Sequence, residues 1–208
     1  MNVAYEQLIA GYGPVAARFR ALLADVGPER AEFKIMFTNI AGNLHGIDHW
    51  ARVGVHGLVI ARALREQGRV TAPALAAEGA LEEAVLLAAF FHDCARVTEG
   101  DELVHGKNGE RVWRHYAERR GLAPGLGAAV SQALLFHVDH PSVDPAANEV
   151  TIGLCNADRV DRVRLGDYAD SRRMYDDRVW PELVPHSVRL YNEFRLERVN
   201  RDLGLAGE

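Results

Sequence analysis

The chain reads as an all-α protein, a single compact multi-helix bundle, and three observations lead there. Apolar residues recur at three- and four-residue steps in one segment after another, the period of a helix that buries one face. Gly or Pro marks the joints between those segments. Nowhere do apolar and polar residues alternate over a convincing length for a strand.

Taken in order, the first helix is expected over residues 4–25, with Ile9, Val15, Phe19, Leu22 and Leu23 apolar, and the second over 28–41, after Gly27-Pro28. Gly42-Asn43 breaks the pattern. The third runs over 48–67, with Asp48 as N-cap, Gly68 as stop, and His49, Val53, His56, Ile60 and Leu64 as its inward stripe. A short helix over 73–78 precedes one over 80–95, which holds the apolar run Ala84–Phe91 and closes on His92-Asp93. A loop over 97–106 leads to a helix over 107–120, ended by Gly121. Pro124 opens a helix to residue 138, and a loop rich in Pro, Asn and Asp covers 139–148. Helices over 149–165 and 182–203 complete the chain. The last carries Leu190, Tyr191, Phe194 and Val199, an apolar face for the domain or for a second copy in a homo-oligomer.

At 208 residues and 48% hydrophobic content the chain can bury a substantial core, and no linker, repeat or low-complexity tract divides it, so residues 1–208 are expected to form one domain. A net charge of −5 argues against a general nucleic-acid binder. Met1-Asn2-Val3-Ala4-Tyr5-Glu6 lacks the basic start and apolar block of a signal peptide, and no eighteen-residue apolar run exists. The expectation is a cytoplasmic protein with no membrane or nucleic-acid polymer as partner. Cys94 and Cys155 are too few and too far apart for a thiolate framework; each is read as a small buried hydrophobe, with metal ligation the alternative.

Two segments carry most of the functional information: His45-Gly46-Ile47-Asp48-His49-Trp50-Ala51-Arg52-Val53, and the His92-Asp93 pair. A carboxylate and an imidazole that end an apolar helix cost several kcal/mol to bury unless paired or bound to metal. Neighbours on a helix point about 100° apart, so one ion over the helix end can take both side chains. A lone aspartate follows late, within Asn156-Ala157-Asp158-Arg159-Val160-Asp161.

A lone His, a His-Asp doublet about forty residues on, and a late Asp, each on an expected helix, resemble the HD superfamily of metal-dependent phosphohydrolases, an all-helical fold. The resemblance spans roughly residues 43–166, with helices 4–41 and 182–203 packed on it. Carried over residue by residue, it implies His49 (from His-x-x-Arg-Val), His92, Asp93 and Asp158 as ligands of a divalent ion, with positions left for water and substrate. Manganese, iron, cobalt, nickel, magnesium and zinc all suit such ligands. In binuclear members of the superfamily, downstream histidines hold a second metal; His105 and His137 stand in that place here, either as second-site or substrate-facing residues or as satisfied helix ends.

Other residues have narrower readings. His45 either orients His49 or caps its helix. His56, about 10 Å of rise from His49, is read as a satisfied core histidine. His115 and His186 are read as structural or exposed, and His140 carries less weight than His137. Lys107 and Arg52 are the cations best placed to meet a phosphate, with Arg96 and Arg162 next, either there or in ion pairs. Asp101 and Glu102 are candidates to position water or protonate a leaving group, and Asp93 completes the catalytic set. Some nucleotidases of the superfamily carry a glutamate where this chain has Arg96, a point of departure.

The expected reaction is hydrolysis of a phosphate ester in a small phosphorylated substrate, a nucleotide among the candidates, by metal-activated water. Two alternatives remain. One is a di-iron oxygenase on the same fold, whose six ligands His49, His92, Asp93, His105, His137 and Asp158 would supply. The other is a metal-stabilised binding module without turnover.

Overall fold

The computed structural model describes residues 5–33, 44–98, 104–138, 146–166, 174–175 and 180–202, the last with side chains over 182–194. Its helices are α1 (Tyr5–Asp25), α2 (Gly27–Glu32), α3 (Ile47–Glu66), α4 (Ala80–Phe91), α5 (His105–Arg119), α6 (Pro124–Phe136), α7 (Glu149–Val160) and α8 (Trp180–Asp202). Short 3₁₀ turns occur at Pro73–Leu75 and Asp161–Leu165. The described residues contain no strand, so the all-α expectation holds.

Composition explains which helix lies at the centre. Apart from Glu82 and Glu83, every residue of α4 is apolar, and nine of its twelve are buried. A helix apolar nearly all round must be covered on all sides. Helices α3, α6 and α7 surround it, α1 lies against α3, α5 pairs with α6, and α8 lies along the Asp161–Leu165 turn and α7. One continuous core runs from Tyr5 and Leu8 of α1 through Phe90 and Phe91 to Leu190 of α8. Each large side chain fully buried there stabilises the fold by about 1.5–3 kcal/mol.

Two close approaches set the helix spacing around the histidines. A methyl group on Gly57 would lie 2.6 Å from Val85, and one on Gly153 2.9 Å from it, so α3 and α7 can both close on α4 only because neither carries a side chain there. A methyl group on Gly109 would lie 2.9 Å from the Phe91 carbonyl; its absence lets α5 cross the end of α4 and bring His105 to the His-Asp pair.

Several boundaries differ from expectation. Gly46, extended at φ −85°, ψ −169°, is the N-cap of α3, and Asp48 sits in the first turn, where its charge still suits the helix dipole. Gly68, at φ +66°, follows the last turn as anticipated. α4 stops at Phe91, so His92 is its C-cap and Asp93 lies in the turn beyond. α5 begins at His105, two residues early. α7 ends at Val160 and tightens into the 3₁₀ turn, closed by Gly166 at φ +72°. The expected 73–78 helix is only the Pro73–Leu75 turn. Residues 34–41 of the expected second helix lie outside the described residues.

Candidate metal centre

Three helices meet first at the C-terminal end of α4. α3 delivers His49 from its first turn, the end of α4 delivers His92 and Asp93, and α7 delivers Asp158 from its last turn. His49 Nε2 lies 3.1 Å from His92 Nε2, 3.3 Å from Asp158 Oδ1 and 3.6 Å from Asp93 Oδ2. His92 Nε2 is 3.4 Å from that same Oδ2. The other oxygen of Asp93 faces elsewhere: Oδ1 lies 3.2 Å from Nε2 of His105 and 3.9 Å from Nε2 of His137, and those two nitrogens are 3.0 Å apart. Two sets of donor atoms result, His49 with His92 and Asp158, and Asp93 with His105 and His137, each within 4.8 Å. Nearly all these side chains are buried; Asp158, 23% exposed, is the most accessible of the six.

Hydrogen bonding fixes which ring nitrogens carry protons. A carbonyl oxygen only accepts, so Nδ1 of His92 donates to Ala89 at 2.8 Å and Nδ1 of His137 donates to Leu134 at 2.7 Å. Nδ1 of His49 donates to the Asp161 carboxylate at 2.8 Å. In their neutral forms all three imidazoles therefore turn bare Nε2 lone pairs toward one another and toward two carboxylates. Lone pairs packed at about 3 Å repel unless a cation lies among them. The donor set fits a divalent ion, with His49 and Asp161 making the carboxylate–histidine pair typical of metal ligands.

Titration behaviour follows the same charge pattern. Burial and Arg164 push His49 down, yet hydrogen bonds with Asp158, Asp161 and Asp93 carry it to about 9. Burial would raise Asp93, but the imidazoles of His92, His105, His137 and His49 around it hold it well below the usual carboxylate range. Asp158 is likewise held low against its burial, by His49 and Arg164. His137 goes the other way: burial and the neighbouring histidines, opposed by Asp93, lower it to about 4. A field that pulls a proton onto His49 will also pull in a metal cation.

A family model described as the HD domain matches residues 46–163, more than half of the chain. The chain belongs to the HD domain family. No curated protein and no solved structure matches it. Membership places it in a superfamily that is generally metal-dependent phosphohydrolases, and its histidine and aspartate clusters are candidates for divalent ions.

Around this HD domain's centre the remaining residues take varied places. His45 is buried, its ring centroid 5.9 Å from that of His49, and its carbonyl accepts from Trp50 Nε1 at 2.8 Å, which anchors the turn before α3. Arg52 is 3% exposed, and its Nε and Nη2 donate to Asp161 at 2.8 and 3.0 Å, so its guanidinium is engaged with that carboxylate. Lys107, two residues beyond His105, lies about 200° round α5, on the exposed side. Arg96 stands beside Asp93, its Nε 3.3 Å from Oδ1. Asp101, Glu102 and His140 lie outside the described residues. His56 is a core residue, but neither ring nitrogen finds a protein partner among the described residues, and burial lowers it to about 4. Cys94 and Cys155 are buried thiols, their pKa raised by burial.

Two residues escaped the sequence reading. Asp161, fully buried, joins His49 to Arg52, and Arg52 among others holds it well below the ordinary carboxylate range. Arg164 places Nη2 3.7 Å from Asp158 and donates from Nε to the Leu44 carbonyl at 2.7 Å, tying the turn before α3 to the turn after α7. A signal for Asp161 existed: it stands three residues beyond Asp158, as Arg52 stands three beyond His49, so each is one turn from a ligand candidate.

Proposed function

We propose that this HD domain hydrolyses a phosphate ester of a small phosphorylated substrate, nucleotides being candidates, in a pocket that takes two divalent ions. One observation carries the reading: the oxygens of Asp93 face separate histidine sets, Oδ2 toward His49 and His92, Oδ1 toward His105 and His137. Asp93 would thus be shared by two ions, one held with His49, His92 and Asp158 and one with His105 and His137. Divalent ions in such a pocket lower the pKa of water and neutralise charge that builds on phosphoryl oxygens.

The chain's own residues prepare that chemistry. Asp161 keeps the proton of His49 on Nδ1, and the Ala89 and Leu134 carbonyls do the same for His92 and His137, so every Nε2 is offered inward without reorganisation. Arg96 beside Asp93 and Arg164 beside Asp158 offset the carboxylates' negative charge, which would otherwise oppose an anionic substrate. The test is elemental analysis of the purified protein with a phosphoester panel under several divalent metals. Bound metal with turnover supports the reading. Bound metal with no turnover of any ester points instead to a binding module.

A second reading draws on the same geometry. His49, His92, Asp93, His105, His137 and Asp158 would supply the six ligands of a di-iron oxygenase, with Asp93 Oδ1 3.2 Å from His105 Nε2. Dioxygen uptake by iron-loaded protein, absent with manganese, would favour it over hydrolysis.

A further inference from the structure

α8 lies beyond the residues that match the HD family, yet it touches the metal centre's supports. The Arg52 guanidinium carbon lies over the Tyr191 ring, 5.1 Å from its centroid. Arg52 makes two hydrogen bonds to Asp161, and Asp161 accepts from Nδ1 of His49 at 2.8 Å. An unbroken chain of contacts thus runs from α8 to a ligand candidate. The register is anchored at a second point, where the Phe194 ring, one turn on, stacks on Tyr12 at 3.6 Å between centroids.

We infer that Tyr191 is a positioning residue for the metal centre, acting through Arg52 and Asp161 to hold His49 in its metal-receiving orientation. A flat ring over a guanidinium limits rotation of the planar fork and excludes water from its face. Arg52 can then keep both bonds to Asp161, and Asp161 keeps the proton on Nδ1 of His49 with Nε2 free for an ion. The domain thereby recruits a helix outside its family core as part of its ligand support. This rests on the proposed metal pocket but not on the proposed reaction, because neither readout below involves turnover.

The test compares Tyr191→Phe, which keeps the ring, with Tyr191→Leu, which keeps bulk but loses the aromatic face. In metal-free protein, proton NMR of the His49 Nδ1–H should show a protected low-field signal in wild type and Tyr191→Phe, and about tenfold faster solvent exchange in Tyr191→Leu. Titration with Mn²⁺ alone should weaken about three- to tenfold in Tyr191→Leu and stay unchanged in Tyr191→Phe. Should Tyr191→Leu fail to fold, Arg52→Lys replaces it: it keeps a charge for Asp161 but removes the flat fork, and should show the same two losses. Unchanged exchange and affinity in Tyr191→Leu, or in Arg52→Lys where that variant is used, or a Phe variant as impaired as the Leu one, would overturn the proposal.

Discussion

The two halves of the centre share Asp93 but are built differently. On the α3 side, His49 and His92 meet two carboxylates, Asp93 and Asp158, and His49 is held from behind by the buried Asp161–Arg52 pair. On the α5 side, His105 and His137 meet one carboxylate, and His137 is held by a main-chain carbonyl at the end of α6. The contrast shows in titration: His49 is carried up to about 9 while His137 is pushed down to about 4. Negative charge concentrates on the α3 side, so that side should bind an ion more tightly but compete with a proton for it. On the α5 side His137 stays neutral at physiological pH, and that side should hold an ion more weakly.

The strongest way to break this picture is to remove what the halves share. Asp93→Ala is expected to lose both ions and lower hydrolysis roughly a thousandfold or more, whereas His105→Ala/His137→Ala should lose one ion per chain and keep the other, read by elemental analysis. Equal metal content in wild type and the double variant would leave His105 and His137 without a metal role. Next in size is the support on one side only. Asp161→Asn should weaken Mn²⁺ binding about ten- to a hundredfold, with the loss confined to the tighter of two phases in a calorimetric titration.

pH sharpens the comparison further. His49 has a folded pKa above its ordinary 6.5, so its contribution to metal-free stability is complete below pH 6.5 and disappears as pH rises through about 9. His137 and His56 have folded values near 4; their contribution is complete above pH 6.5 and is lost as pH falls through about 4. Denaturant midpoints of the metal-free protein should fall on both flanks, and His49→Gln should remove the alkaline flank alone. Mn²⁺ affinity of the tighter phase should rise by up to about tenfold per pH unit between 6.5 and 9, since one proton leaves His49 as the ion enters. The smallest effect belongs to Lys107→Ala: a side chain on the outer face of α5 should alter kcat/KM by less than about threefold, and a larger loss would bring it back to the substrate.

Much of this was legible in the sequence, for identifiable reasons. The bundle showed because each helix keeps a 3.6-residue apolar stripe, and the His-Asp pair showed because ionisable residues at the end of the Ala84–Phe91 run have no cheap alternative to pairing or metal. Helix ends were less legible. Starting α5 at 107 would leave Lys107 at its entrance beside the site; starting it at His105 turns the histidine inward and the lysine outward. Partnerships across long sequence separations were hidden. Arg52 and Asp161 are 109 residues apart, and no local pattern says that they meet, so Arg52 looked like a cation waiting for phosphate and Asp161 like part of a polar helix end.

On this reading Asp93 joins two ion sites of unequal strength. Anomalous diffraction from crystals soaked in rising Mn²⁺ tests it directly. Two peaks should appear about 3.5–4 Å apart on either side of Asp93, the one between His49, His92 and Asp158 filling first. A single peak at saturating Mn²⁺, or first occupancy between His105 and His137, would contradict it.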